Sequence, residues 1–227
     1  MKIDAIILSN TNDLAHYGLT CRTINSLRSS VNGENVNIIV VESQSQNDFK
    51  CNGYMYPDCN VIFPEVKFEY NKFLNIGMEH TTQDWVMVCN NDLFFTKNWF
   101  NEMEKAIIEN PNILSFSPKA PTWHLHLNTP QEGIIEGHKV SYTICGWCIL
   151  FHKSIVKICD LFDENFKFWY QDNDYAMSLQ KGGVNHALVC ASRVYHIISG
   201  SHDLLTSEKS EYTDDQYHIY AKKWGPK

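Results

Sequence analysis

The chain has 227 residues and a formal net charge of −7 at pH 7, with 44% hydrophobic and 20% charged residues. This length suits one large or two small domains, and the composition excludes an intrinsically disordered protein. The negative charge argues against broad non-specific binding to nucleic acid, which depends on Lys and Arg at phosphates.

The sequence also bears on the compartment in which the protein works. No apolar stretch reaches the ~20 residues of a membrane span, and the N-terminus lacks the apolar region of a signal peptide. We therefore expect a cytoplasmic protein, in the host cytoplasm if the chain is viral. The 8 cysteines are scattered, several of them within apolar runs, which indicates reduced core thiols and not a disulfide framework.

Strands and helices alternate along the first half of the chain. Apolar runs predict strands over residues 3–8, 36–41, 85–89 and 113–116. Apolar residues at helical spacing predict helices over residues 14–27, 70–78 and 99–107. This alternation predicts an α/β fold with a mostly parallel, doubly wound sheet of Rossmann-like type and helices on both faces.

The pattern changes in the second half. Residues 118–139 are predicted to form a long surface loop or lid, since long loops inside compact domains are usually functional. The remaining predicted elements are β structure over 142–151, a helix over 154–161, a helix from the Asp172 segment to Gly182-Gly183, a strand over 189–198 and a helical tail over 207–224.

Two acidic segments point to chemistry. Asn90-Asn91-Asp92 follows a buried strand, so Asp92 should lie at the end of the sheet, where α/β folds place their ligand crevice. A carboxylate there suits Mg²⁺ or Mn²⁺, because hard cations prefer oxygen ligands and also hold phosphates. Gln171-Asp172-Asn173-Asp174 leads into a helix, and a carboxylate across the crevice suits a general base.

These segments belong to a set that resembles the family 2 inverting glycosyltransferases, which have the GT-A fold. The similarity runs from the first strand to about Ser201. The matching places are Ile39-Val40-Val41-Glu42-Ser43-Gln44-Ser45, Asn75-Ile76-Gly77 before residues 85–92, residues 146–151 followed by Phe162-Asp163-Glu164-Asn165-Phe166, and Gln171-Asp172-Asn173-Asp174. Any one of these matches would be a weak signal, but all four occur in the family's order and at ordinary spacings, and this makes the resemblance specific.

The resemblance implies a nucleotide-diphospho-sugar donor, a divalent metal ion and inverting transfer to an acceptor hydroxyl. Asn90-Asn91-Asp92 stands at the family's DxD-type motif, so Asp92 would bind Mn²⁺ or Mg²⁺. His196 matches a further metal ligand of many relatives. Asn90 replaces an acid of the motif. Its amide could instead hydrogen-bond the ribose or phosphate of the donor, and we therefore expect weaker metal binding.

Other positions match the donor pocket of the family. The resemblance places Ser9 and Asn10 around a uracil or thymine ring, and Glu42 where relatives use Asp to bind the nucleoside. The further donor contacts that it implies are Asn75, Asn91, Gly146 and Trp147. UDP- or dTDP-sugars are favoured, as in hexosyl- or deoxyhexosyltransferases.

The resemblance assigns the catalytic base to Asp172. Gln171 replaces the first acid of the usual pair, which removes a like charge, and the helix N-terminus further favours the ionised carboxylate. We therefore expect Asp172 to be ionised at neutral pH. Asp174 is better suited to capping the helix or fixing the loop.

The resemblance also divides the chain by role within one compact GT-A domain. Residues 1–117 would bind the donor, residues 118–203 would bind the acceptor and catalyse transfer, and residues 204–227 would form a helical tail. The sequence leaves the acceptor open among glycans, small molecules, proteins and a hydroxylated DNA base, and it leaves the oligomeric state open.

Two local motifs suggest other chemistry. Cys145-Gly146-Trp147-Cys148 resembles a thioredoxin CxxC, but the apolar run after it predicts a strand where a reactive thiol needs a helix N-terminus. His124, His126 and His138 suggest Zn²⁺, yet no cysteine pair stands at zinc-finger spacing. Histidines that touch phosphate or acceptor, or a plain surface loop, are the alternatives, and the plain loop is favoured.

Two competing functions remain at this point. A GT-A module that binds a sugar nucleotide or a partner, and that keeps Asp92 but has lost catalysis, would explain Asn90 and Gln171. A nucleotidyltransferase would have a Gly-rich, basic loop after its first strand, whereas residues 9–13 contain neither glycine nor Lys or Arg. The sequence therefore favours the glycosyltransferase over both.

Overall fold

The structure, a computed structural model, describes residues 1–31, 35–197 and 214–226. Its strands are β1 (Ile3–Ser9), β2 (Val36–Glu42), β3 (Asn60–Ile62), β4 (Trp85–Cys89), β5 (Leu93–Phe95), β6 (Ile113–Lys119), β7 (Ile134–Glu136), β8 (Cys148–His152) and β9 (Asn185–His196). Its helices are α1 (Leu14–Ser30), α2 (Gln46–Cys51), α3 (Tyr70–Glu79), α4 (Trp99–Glu109), α5 (Pro121–His124), α6 (Ile155–Cys159), α7 (Gln171–Lys181) and α8 (Asp214–Trp224).

The described strands form a sheet in the order β3-β2-β1-β4-β8-β6-β9-β5, and β7 pairs with β9. Strands β1, β2, β3, β4, β6 and β9 run in one direction, whereas β5, β7 and β8 run in the other. The predicted mostly parallel α/β sheet is confirmed. The carboxyl ends of β1, β2, β4, β6 and β9 therefore share one edge with the amino end of β8.

Alternate residues of β1 show how the sheet is covered on both faces. Ile3, Ala5 and Ile7 pack in the same apolar cluster as buried residues of α1 and α4. Ile6 and Leu8 point to the other face, where they join a cluster with buried residues of α3, α6 and α7. Because successive strand residues face opposite sides, an unbroken apolar run indicates burial on both faces. Helices on both faces were predicted, and this is confirmed.

The second half differs from the prediction in two places. Residues 118–139 are not one long loop, since β6 continues to Lys119 and is followed by α5, a 3₁₀ turn over Leu125–Leu127 and β7. Lys119 can lie in a buried strand because its ammonium group donates hydrogen bonds to the carbonyls of Thr129 and Pro130. In the predicted β segment 142–151, only the part from Cys148 onward is strand.

The tail helix is confirmed where the structure describes it, as α8, while Ser201 and Tyr212 lie outside the described residues. The short elements α2, β3, β5 and β7 were not predicted. Among the helices of the described residues, none combines the length and apolar character that a membrane crossing requires.

His186 on β9 belongs to a buried polar contact between the sheet and α7. Its Nδ1 lies 2.7 Å from Ser115 Oγ, which is also 2.7 Å from the Tyr175 hydroxyl. Its Nε2 lies 2.9 Å from the Thr143 carbonyl oxygen, which can only accept, so this nitrogen donates. The neutral ring satisfies both contacts, and burial lowers the pKa of His186 from 6.5 to about 3.

We expect this histidine to make folding stability depend on pH. The unfolded chain binds a proton near pH 6.5, whereas the folded chain resists it until about pH 3. The contribution of neutral His186 to the free energy of unfolding is therefore complete above pH 6.5 and is lost as the pH falls towards 3. At about pH 5 the loss should be about 2 kcal/mol. Urea denaturation between about pH 7 and pH 5 should show a smaller pH slope in His186→Gln than in wild type.

The exposed His80 provides the control for this experiment. His80→Gln should keep the pH slope of the wild-type free energy of unfolding. Equal slopes in wild type and His186→Gln would contradict the proposed linkage, whatever the absolute stability of the variant.

Candidate functional site

The Asp92 carboxylate lies at the shared edge of the sheet, next to His196. The chain turns after β4, and the start of β5 then pairs with the end of β9, which sets Leu93 opposite His196. Asp92 is 6% exposed, and its Oδ1 is 3.2 Å from His196 Nε2. That contact lacks hydrogen-bond geometry, and the buried Oδ1 accepts no hydrogen bond from the described residues. A buried oxygen in this state favours a ligand that the described residues do not provide.

Trp147 holds His196 in this position. The indole stacks on the imidazole with ring centroids 5.6 Å apart and an interplanar angle of 20°. The Trp147 carbonyl also accepts a hydrogen bond of 2.9 Å from the Asn90 backbone N–H. The segment before β8 is thereby tied both to the turn after β4 and to the end of β9.

The two asparagines before Asp92 have different surroundings. Asn91 donates from Nδ2 to Thr20 Oγ1 at 2.9 Å, and its carbonyl accepts from Thr23 Oγ1 at 2.7 Å. These contacts fasten the turn to α1, so Asn91 has a supporting place beside the site. Asn90 is half-buried, and its backbone N–H donates to the Trp147 carbonyl.

The Asp92 and His196 side chains have suitable geometry for one divalent cation. Neighbouring ligands on an octahedral ion with bonds of ~2.1 Å lie about 3.0 Å apart, close to the observed 3.2 Å. Within the described ranges, no group of three or more His, Cys, Asp and Glu side chains gathers as a metal site. A pair of one carboxylate and one imidazole could hold an ion such as Mn²⁺, which would complete its shell with phosphate and water.

Asp172 reaches the same edge from the first turn of α7. A Cβ added to Gly146 would lie 2.9 Å from Asp172 Cβ and 3.3 Å from Asp172 Oδ2. Gly146 is therefore needed for a close approach between α7 and the segment before β8. Asp172 Oδ1 accepts from the backbone N–H and the Nδ2 of Asn173, at 2.8 and 2.9 Å. The structure thus brings together Asp172, Gly146 and, through Trp147, His196.

Tyr70 is a residue of this region that the sequence did not single out. It begins α3, is buried, and donates from its hydroxyl to the Gly146 carbonyl at 3.4 Å. Burial raises the pKa of Tyr70, and the carboxylates of Asp172 and Asp92 are among the groups that raise it further. Its hydroxyl therefore lies within electrostatic range of both acids. The helical spacing that includes Tyr70 is equally typical of a core residue, so the sequence held no separate signal.

Glu42 at the end of β2 is buried and engaged by the protein. Its Oε1 accepts from the backbone N–H groups of Thr11 and Gln44, at 3.0 and 2.9 Å. Its Oε2 accepts from Thr11 Oγ1 at 2.7 Å, and the side chain is 0% exposed. These contacts connect the loops that follow β1 and β2, so Glu42 supports both loops from inside the protein.

Ser9 and Asn10 at the end of β1 face different surroundings. The buried Ser9 Oγ lies 3.0 Å from Thr20 Oγ1 and 3.2 Å from the Tyr56 hydroxyl. Burial raises the pKa of Tyr56 to about 12, so its hydroxyl keeps its proton at neutral pH. Asn10 is exposed beside this cluster. Of the two predicted base contacts, Asn10 is therefore the more accessible.

Asn75 is directed towards another part of the chain. Its Nδ2 donates to the Phe162 carbonyl at 3.1 Å and to Glu164 Oε1 at 2.9 Å. These bonds tie α3 to the segment after α6. The amide contacts of Asn75 are thus with this segment and not with Ser9 or Glu42.

The cysteine motif has the character of a buried structural segment. Cys145 and Cys148 are both buried, and burial raises the pKa of each thiol. Cys148 opens β8 instead of a helix. A reactive thiol requires a stabilised thiolate, so this environment disfavours redox chemistry, as the sequence indicated.

The loop histidines do not converge on a zinc site within the described part of the chain. The buried His124 ring bonds to backbone, with Nε2 3.0 Å from the Tyr142 carbonyl. His138 Nε2 lies 2.8 Å from the Val184 carbonyl. Both rings therefore hold local backbone structure in place, while His126 is exposed.

Comparison with known proteins gives one positive result. The sequence model of the family described as Glycosyl transferase family 2 matches residues 6–159. No match was found among curated proteins. The matched segment extends from β1 to the end of α6, so it includes Asp92 and Gly146 but ends before Asp172 and His196.

Proposed function

The chain belongs to glycosyltransferase family 2, and from this premise we propose that it is a metal-dependent, inverting enzyme that uses a nucleotide-diphosphate sugar. Family membership supports glycosyl transfer to an acceptor in general. Metal dependence, the UDP- or dTDP-sugar donor and inversion are our proposals. The observation that most supports metal dependence is the buried Asp92 Oδ1, which accepts no hydrogen bond from the described residues and lies 3.2 Å from His196 Nε2.

In this proposal Asp92 and His196 hold Mn²⁺ or Mg²⁺ together with the donor diphosphate. The ion would supply Lewis-acid stabilisation for the negative charge that grows on the departing diphosphate. Asn90 stands where relatives have an acid, so one carboxylate serves this site where two are usual. We therefore expect metal affinity to depend strongly on the donor phosphates.

Asp172 is proposed as the general base. It accepts the proton of the acceptor hydroxyl while the hydroxyl oxygen forms a bond to the anomeric carbon. The bond from that carbon to the donor phosphate oxygen breaks, and the nucleoside diphosphate leaves from the opposite face with inversion. The hydrogen bonds from Asn173 and the packing on Gly146 support this role, because they fix the direction of the carboxylate.

The division of labour along the chain is also proposed. Residues 1–117 would bind the donor, with Asn10 and Asn90 as direct contacts and with Ser9, Glu42 and Asn91 as supports. Residues 118–203 would bind the acceptor and supply Asp172, and residues 204–227 would form the tail. The acceptor is a hydroxyl on a glycan, a small molecule, a protein or a modified DNA base.

The proposal can be tested by nucleotide binding. The melting temperature should be measured with UDP, dTDP, GDP, CDP and CMP, each with Mn²⁺ and with EDTA. A ligand that binds only the folded chain stabilises it by ~2.7 kcal/mol at a hundred times its Kd. We expect a rise with a pyrimidine diphosphate that disappears in EDTA. No shift with any nucleotide would contradict the proposal and support a binding module that has lost the donor site.

Gly146→Ala should lower turnover by about 10- to 100-fold, because displacements near 1 Å cost rates of this order. The new Cβ would lie 2.9 Å from Asp172 Cβ, so the carboxylate must move. Gly18→Ala is the control, since its added Cβ meets nothing within 4 Å. Initial rates and donor Kd should be measured for both variants. Wild-type turnover in Gly146→Ala would show that the position of Asp172 is not limiting.

A further inference from the structure

The C-terminal helix α8 contacts the segment that leads into Asp172 at several separate points. Lys223 Nζ lies 2.8 Å from Asp163 Oδ2, and Gln216 Oε1 accepts from the Lys167 backbone N–H at 2.7 Å. The Gln216 side chain is buried at this contact. A helix distant in sequence from α7 therefore supports the chain just before the candidate base.

Asp174 is the strongest of these connections. Its carboxylate is 1% exposed, and its Oδ1 accepts from Trp224 Nε1 at 2.7 Å and lies 2.8 Å from Lys223 Nζ. Burial raises the pKa of Asp174, and the contacts with Lys223 and Trp224 oppose that rise. A buried carboxylate needs such partners, because an uncompensated charge in the interior is strongly unfavourable. The sequence suggested two roles for Asp174, capping the helix or fixing the loop. Its contacts with Lys223 and Trp224 match the second role, because the carboxylate fastens this segment to α8.

Tyr170 is the second connection, on the other side of Asp172. It stands immediately before α7 with a φ of 64°, a conformation that costs energy for a residue other than glycine. Its ring packs against Tyr217 and Tyr220 of α8, with centroids 5.9 and 5.4 Å away. Strained backbone of this kind persists where surrounding contacts hold it, and here α8 supplies such contacts.

We propose that α8 is the element that positions the catalytic base, and that Lys223 and Trp224 are positioning residues which act through Asp174. Asp172 lies two residues after Tyr170 and two residues before Asp174, and α8 holds both of these neighbours. The backbone N–H of Asp174 donates to the Tyr170 carbonyl at 2.8 Å, so the two held residues also close the first turn of α7. This inference rests on the proposed function for the role of Asp172.

The experiment compares Lys223→Met with Lys222→Met in the full chain. Both replace an exposed lysine on α8, but Lys222 has no part in the contacts with Asp163 and Asp174. Hydrogen–deuterium exchange should be followed in peptides that cover residues 163–174. In parallel, kcat and the donor KM should be measured well below the melting temperature of each variant.

We expect faster exchange over residues 163–174 in Lys223→Met, with exchange in β1 and β4 unchanged. We also expect kcat to fall by about 10- to 100-fold while the donor KM stays the same, because misplacement of a base affects the chemical step. Lys223→Arg keeps the charge and should restore both readouts. Trp224→Phe removes one donor to Asp174 and should show a smaller effect on kcat in the same direction. Lys222→Met should behave as wild type.

The two readouts separate this inference from the proposed function. Faster exchange with an unchanged kcat would overturn the positioning role and leave α8 as a stabilising element. Unchanged exchange in Lys223→Met would overturn it as well, whether or not kcat falls. If wild type turns over no sugar nucleotide, the proposed function fails, and exchange alone then decides whether α8 holds the first turn of α7.

Discussion

Replacing Asp172 with asparagine should abolish detectable sugar transfer while sparing donor binding. The amide has nearly the same size as the carboxylate, so it can keep the packing on Gly146. It cannot accept the proton of the acceptor hydroxyl at neutral pH, and loss of a positioned general base typically costs 10²- to 10⁴-fold in rate. Turnover should be measured by release of the nucleoside diphosphate, and donor Kd by calorimetry.

Asp160→Asn is a suitable control for this variant. Asp160 is an exposed carboxylate at the end of α6 with a φ of 50°, a conformation that asparagine tolerates. It should leave both turnover and donor Kd unchanged. Wild-type turnover in Asp172→Asn would remove Asp172 as the base. Loss of donor binding in that variant would instead assign the carboxylate to the donor site.

The fold could be predicted where strands are long and buried on both faces. Strand β4 is apolar throughout, and residues 5–8 of β1 and 38–41 of β2 form unbroken apolar runs, a pattern that is typical of parallel strands covered by helices. Strands β3, β5 and β7 have 3 residues each, which is too short for a period to show. Their existence depends on partners elsewhere in the chain, such as β9 for β5 and β7. Tertiary pairing therefore supplies what local sequence lacks.

The candidate site shows the same division. The order of the motifs indicated that Asp92, His196 and Asp172 belong to one site, but their contacts depend on strand register. His196 reaches Asp92 because Leu93 pairs with it across β5 and β9. Glu42 was predicted to bind the nucleoside because relatives carry an acidic residue at that position. The sequence does not show that the backbone N–H groups of Thr11 and Gln44 already donate to its carboxylate. Whether a polar group is available can only be judged once its partners are known.

That difference between Asp92 and Glu42 leads to a prediction in which two buried acids respond with opposite sign. Asp92 Oδ1 accepts no hydrogen bond from the described residues, whereas each Glu42 oxygen accepts two. Without metal and nucleotide, Asp92→Asn should therefore keep or raise the melting temperature, because it removes a buried charge with an unsatisfied oxygen. Glu42→Gln should lower the free energy of unfolding by about 1–3 kcal/mol, because its amide presents a donor to donors.

With Mn²⁺ and the nucleoside diphosphate present, we expect Asp92→Asn, and not Glu42→Gln, to be the variant that differs from wild type in its response to ligand. Glu42→Gln should still show a metal-dependent rise in melting temperature, whereas Asp92→Asn should not. Turnover of Asp92→Asn should also fall by about 10²- to 10⁴-fold, the range expected when several kcal/mol of Lewis-acid stabilisation is removed. Thermal scans of wild type and both variants with Mn²⁺ or EDTA measure all of these effects together. If Asp92→Asn destabilises the ligand-free chain as much as Glu42→Gln does, then Asp92 supports the fold. If Asp92→Asn is stable but its melting temperature no longer responds to metal, then Asp92 serves the ligand and not the fold. This result would explain why Asp92 Oδ1 is buried without a hydrogen bond from the described residues.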